Sequence, residues 1–248
     1  MMTKISETGH ANNVANFESL ISFANGYGTA YNPSKSSLVI SALQALLRQA
    51  QSSLEQVNSA LADNGNAVAS REVAFKPLSK LMTRVMNAAR SSDIPHAMLN
   101  DIQAVIRKIQ GGRATPKRTE EEKAAQQAEG NGVKEISSSQ MSFDSRMANL
   151  DKLIKLLAAI PAYAPNEEEL KVASLQLLLD HLRGLDTGVV NSTTQLSNAR
   201  ISRNQLLYLP ETGLVGVALS VKVYIKAVFG ATSPQYKQVS GLVFRNGH

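Results

Sequence analysis

One long stretch of this chain occurs twice, and that duplication limits its fold more than any other feature. Shifted by 132 positions, Tyr31-Asn-Pro33 falls on Tyr163-Ala-Pro165, Leu38 on Leu170, Leu43-Gln44 on Leu175-Gln176 and Leu46-Leu47 on Leu178-Leu179. Val57, Asn66-Ala67 and Ser70-Arg71 meet Val189, Asn198-Ala199 and Ser202-Arg203. Twelve of the 45 positions from 31 to 75 are identical. Composition alone would give roughly three or four. A register one residue different pairs Ala15-Asn16 with Ala148-Asn149 and Leu20-Ile21 with Leu153-Ile154. The pattern predicts an all-α protein. It should hold two tandem, internally duplicated antiparallel helical bundles, each built around a helix of about forty residues.

The duplication divides the 248 residues into a first helical repeat at 12–112, a charged, Gly-rich linker at 113–140 and a second repeat at 141–246. Each repeat is near the usual domain size. Hydrophobic residues make up 43% of the chain, aromatics only 5%, and Trp is absent. The core must therefore come from Leu, Val, Ile and Ala, which suits close helix packing.

In the first repeat, Asn12 or Asn13 is expected to cap a helix carrying Val14, Phe17, Leu20, Ile21 and Phe23, stopped by Gly26 and Gly28. A long helix should start near Ser34. Asp63-Asn-Gly-Asn66 reads as a turn in isolation. The second copy has Gln195-Leu-Ser-Asn198 there, so the helix should continue to Phe75. Two shorter helices follow, with Leu78, Leu81, Met82, Val85, Met86 and Ala89 on one and Leu99, Ile102, Val105, Ile106 and Ile109 on the other. Gly111-Gly112 ends the second.

In the second repeat, Asn166 and Glu167-Glu-Glu169 are expected at the start of the long helix, where the macrodipole favours negative charge. Leu175, Leu182, Val189 and Leu196 form a heptad seam along it. Leu209-Pro210 breaks it, and Thr212 is the expected cap of the next helix. That helix is apolar almost all round. Leu219, Val221, Ile225 and Val228 are expected in the core, with Lys222 and Lys226 turned outward.

The segments Gln140-Met-Ser-Phe-Asp-Ser-Arg146, Tyr163-Ala-Pro-Asn-Glu167 and 233–241 are similar to an uncharacterised family of helical proteins in Bacteroidota, and the resemblance covers most of the chain. No known activity attaches to that family. The resemblance implies a helical fold and no chemistry.

Candidate chemistry is sparse. Cysteine is absent, which excludes disulfides, thiolate metal sites and Cys nucleophiles. His10, His96, His181 and His248 lack ligand spacing, and no Glu-x-x-His pair supports a carboxylate metal bundle. Nucleotide and hydrolase fingerprints are missing. The expectation is no enzyme, no cofactor, no metal and no small-molecule substrate. Leu209-Pro-Glu-Thr-Gly213 matches the sortase sorting motif, but Lys222 and Lys226 interrupt the apolar run behind it and no export signal precedes it. Its plainer reading is a helix break followed by a cap. The expected location is the cytoplasm, with no membrane span.

The net charge is +6. Arg107, Lys108, Arg113, Lys117 and Arg118 gather five positive charges with no acid among them, as a phosphate-neutralising surface would. Glu120-Glu-Glu122 follows at once, and no aromatics are interleaved for base stacking. The leading expectation is a non-enzymatic structural or scaffold protein. It would self-associate as a homo-oligomer, the duplication providing two similar surfaces for head-to-tail contact. The alternative is nucleic-acid binding through 107–118. A pore-forming helical protein is a third reading, opposed by Lys222 and Lys226.

Overall fold

The computed structural model describes residues 7–112 and 141–246, and among these it is all-α with no strand. The expected linker at 113–140 lies outside the described residues. The helices are α1 (Glu7–Gly26), α2 (Ile40–Phe75), α3 (Leu78–Arg90), α4 (His96–Gln110), α5 (Phe143–Ala158), α6 (Val172–Tyr208), α7 (Leu214–Phe229) and α8 (Pro234–Ser240). A 3-10 turn precedes each long helix, at Ser36–Leu38 and at Glu168–Leu170.

Several ends differ from expectation. α1 begins at Glu7, so Asn13 lies within the helix and is buried rather than capping it. Glu168 and Glu169 sit in the 3-10 turn before α6, where they bind Lys171 and Arg84 instead of loading a helix start. The cap of α7 is Gly213, not Thr212. A Cβ at Gly213 would lie 2.6 Å from the backbone N of Leu209, so the turn needs glycine there. At the end of α4, Gly111 takes φ +76, the left-handed conformation that glycine adopts at least cost.

The two long helices bury residues at a seven-residue period. On α6 these are Leu175, Leu182, Val189, Leu196 and Arg203. On α2 the equivalent positions are Leu43, Ala50 and Val57, all buried, followed by Asn64 and Arg71, which are half-buried. A strict heptad stripe is narrow, which explains how helices so polar overall are held. α2 continues through Gly65, as comparison of the copies predicts. A Cβ at Gly65, Gly184 or Gly188 would meet nothing within 4 Å. Packing does not require these glycines, and each weakens its helix by about 1 kcal/mol relative to alanine.

Two compact units result. The first joins Met1–Gly65 to Asn191–His248, and the second is Asn66–Val190. The boundary of compactness thus falls inside α2 and α6, where the sequence predicts one bundle per copy. Each unit takes the front of one copy and the back of the other. The physical reason lies in the length of α2 and α6, 36 and 37 residues. The apolar ends of such a helix cannot share one small core, so each end buries against whatever runs beside it.

In the first unit, α1 packs on α7 and α8, α7 packs on α8, and the turn at Ser36–Leu38 packs on α7. Its core holds Phe17, Leu20, Leu43, Leu207, Leu214, Val221 and Ile225. In the second unit α4 packs on both α3 and α5, and the turn at Glu168–Leu170 packs on α3. Leu78, Met82, Ile102, Ile109, Leu150, Leu175 and Leu179 fill its core.

α7 corrects part of the sequence reading. Leu214, Val217, Ala218, Val221 and Ile225 are buried, but Leu219 and Val228 are each 45% exposed and Val223 is 68% exposed. Only one side of this helix is covered within its unit. Lys222 is half-buried, and its Nζ donates to the carbonyls of Ser240 and Leu242 at 3.0 and 2.9 Å, holding the end of α8. Burial pushes that ammonium below its ordinary pKa. Lys226 is exposed, as expected.

Two hydrogen bonds match between the similar stretches. Tyr31 Oη donates to the Leu38 carbonyl and Tyr163 Oη to the Leu170 carbonyl, both at 2.8 Å. Burial raises both phenols to about 12, helped by Tyr224 beside Tyr31 and Glu167 near Tyr163. A phenol whose folded pKa is raised supports the fold below its unfolded pKa of about 10 and loses that support as pH rises through the folded value. Ultraviolet titration should therefore show Tyr31 and Tyr163 ionising late, with Tyr27 also shifted upward by burial. The melting temperature should fall between about pH 10 and 12. Tyr31→Phe and Tyr163→Phe should each remove one late phenol.

Candidate functional site

The basic residues expected at 107–118 fall partly inside and partly outside the described residues. Arg107 and Lys108 lie in the last turn of α4, where positive charge suits the helix dipole. Arg113, Lys117 and Arg118 lie outside the described residues. Arg107 lines a groove of about 250 Å³ between α3 and α4, together with Arg90, Thr83, Asn87, Gln103 and Gln110. Met86 and Ile106, both buried, complete its lining. Gln110 Nε2 donates to the Ser79 carbonyl at 2.9 Å and to Thr83 Oγ1 at 3.0 Å, tying the two helices together. Arg90 Nη2 approaches Gln103 Oε1 at 3.4 Å. No carboxylate lines the groove, and neither guanidinium has an ion-pair partner among the described residues. Two planar cations beside amide and hydroxyl donors make a surface suited to an anion. Sequence reasoning missed Arg90, because only the pairing of α3 with α4 brings it near Arg107.

A second polar cluster closes the first unit. Asn13 is 1% exposed. Its Nδ2 donates to the Arg245 carbonyl at 2.9 Å and its Oδ1 accepts from the Arg245 amide at 3.0 Å. Asn16 Nδ2 donates to the Val243 carbonyl at 2.8 Å. Two side chains three positions apart thus hold the extended tail after α8 against α1. His10 Nδ1 lies 2.5 Å from Tyr208 Oη, which also accepts from Asn13 at 3.3 Å. The signal was present as asparagines on one helix face, but only the partner segment reveals their use.

The corresponding place in the second unit is built differently. Shifted by 133 positions, His10 and Asn13 correspond to Phe143 and Arg146, and α2 ends on Phe75 as α6 ends on Tyr208. Phe75 and Phe143 meet edge to face at 4.8 Å. Arg71 lies 4.1 Å over the Phe143 ring and binds Asp186 at 2.6 Å. Arg146 Nη2 donates to the Phe75 carbonyl at 3.3 Å, and burial lowers its pKa. Arg203, the equivalent of Arg71, is 3% exposed and donates to Asn204 Oδ1 at 3.0 and 3.1 Å.

No cluster of three metal-ligating side chains occurs among the described residues. His96 and His181 are exposed, and His10 is engaged with Tyr208. The Leu209–Gly213 motif forms a tight turn in which the Thr212 amide bonds the Pro210 carbonyl and the Gly213 amide bonds the Leu209 carbonyl, both at 2.8 Å. Glu211 takes φ 65, a strained value for a side-chain-bearing residue. No family model, curated protein or solved structure matches this chain.

Proposed function

We propose that this is a structural or scaffold protein without catalytic activity, which self-associates through helical surfaces into an ordered assembly or filament. On this reading it is one of the helical proteins of Bacteroidota that its sequence resembles, and it acts in the cytoplasm. The observation that carries the proposal is the outer side of α7. Leu219 and Val223 lie four residues apart on it and are both exposed, and Val228 is exposed further along the helix. No helix among the described residues is long and apolar enough to cross a membrane. Apolar area left in water forgoes roughly 25 cal/mol per Å², which a second copy of the chain would recover by covering it. Light scattering should give an oligomer for the wild type and a monomer for the Leu219→Lys, Val223→Lys double variant. The two proteins should melt within a few degrees of each other, since exposed positions contribute little to the core. A wild type that stays monomeric at high concentration would overturn the proposal.

A second reading, nucleic-acid binding through Arg107, Lys108 and the basic residues beyond them, draws support from the groove that sets Arg90 beside Arg107. It predicts binding to single-stranded DNA that weakens steeply with salt. Arg90→Gln with Arg107→Gln should lower the logarithmic salt slope by about one for each phosphate no longer neutralised. An unaltered slope would remove this site.

A further inference from the structure

The first unit is completed by two segments that lie at opposite ends of the described chain, while the second is one unbroken stretch between them. We propose that the first unit closes between chains as well as within one. The front segment, up to Gly65, of one copy would seat on the back segment, from Asn191, of a second copy. This rests on the reading that the protein self-associates, and it names a route. Each chain offers one front segment and one back segment, so exchange joins copies head to tail, in rings or open filaments.

Three observations carry the inference. The first is chemical matching. His10 and Asn13 meet Tyr208, Asn13 clamps the backbone of Arg245, and Asn64 Nδ2 donates to Ser192 Oγ and Thr193 Oγ1 at 3.1 and 2.8 Å. Lys76, which the 132-residue register places against Tyr208, and Phe75, the last residue of α2, cannot supply the hydroxyl that Tyr208 provides. The front of the first copy therefore selects the back of the second, whichever chain carries it. The second is the sequence where the segments part from the rest of their helices. Asp63-Asn-Gly-Asn66 and 186–193, which contains Gly188 and four β-branched residues, are poor helix formers. The third is that Gly65 and Gly188 serve no packing contact, so they leave these points easy to open. Closure within one chain has the advantage of high effective concentration, near millimolar for short connections. Exchange should therefore grow with protein concentration.

The chain has no native cysteine, which makes a clean test possible. Full-length Asn64→Cys and Thr193→Cys proteins, each with a single thiol, are mixed at about millimolar concentration. After incubation the mixture is diluted, oxidised and run on a denaturing gel. Exchange predicts a mixed disulfide dimer several-fold above either variant alone, with oligomers in light scattering of the same sample. Oligomers without the mixed disulfide would overturn exchange and leave self-association standing. An absence of oligomers would overturn both. To exclude damage from the cysteines, each variant must melt like the wild type; if one does not, Ser192→Cys replaces Thr193→Cys and the same outcomes apply. Gly65→Ala with Gly188→Ala should slow formation of the mixed disulfide several-fold. An unchanged rate would overturn the assignment of opening to these glycines.

Discussion

The residues buried at a seven-residue period on α2 and α6 anchor both cores, with Leu43 and Ala50 in one and Leu175 and Leu182 in the other. With Ser53 and Phe75 on α2 and Leu179, Ser192 and Leu207 on α6 they make one buried stripe on each helix, so much of the remaining surface can be polar. At each end the seam meets short helices that supply a broader core. Leu43 joins Phe17, Leu20, Leu214 and Ile225 in the first unit, while Leu175 joins Leu78, Ile102 and Leu150 in the second.

Likeness and difference between the two similar stretches fall in different places. The 3-10 turn before each long helix and the tyrosine bonded to its carbonyl occur in both. The chemistry at the closing contacts has diverged. One unit closes on His10, Asn13 and Tyr208, and the other on Phe75, Phe143, Arg71 and Asp186. Shared geometry with unlike chemistry lets two similar segments choose different partners. A polar residue on a helical seam also fixes register, and Arg71 bound to Asp186 is well placed for that.

Much of the helical pattern was legible in the sequence, for a physical reason. Leu175, Leu182, Val189 and Leu196 recur at fixed spacing, and the second copy showed that Gly65 need not end a helix. Partnership was not legible, because it depends on contacts between residues as distant as His10 and Tyr208. The face of α7 that is covered was also hidden. A helix apolar on every side carries no directional signal, so Leu219 and Val223 could be assigned only once α1 and α8 were seen on the other side. The cap of α7 was misread for a similar reason. Thr212 has the right side chain, but the tight turn from Leu209 puts Gly213 at that place. Of the candidate anion site, Arg107 and Lys108 stood out as charge, whereas Arg90 acquired meaning only from the packing of α3 on α4.

Each compact unit draws on both halves of the chain. This is tested most directly by cutting the connection between the halves. A protease site is inserted between Gly130 and Asn131, and the purified protein is cleaved to completion. The account predicts that the fragments still elute as one species, keep their helical circular dichroism and separate only in denaturant, because each unit contains residues from both. Two fragments that eluted apart, each still helical and cooperatively folded, would contradict it.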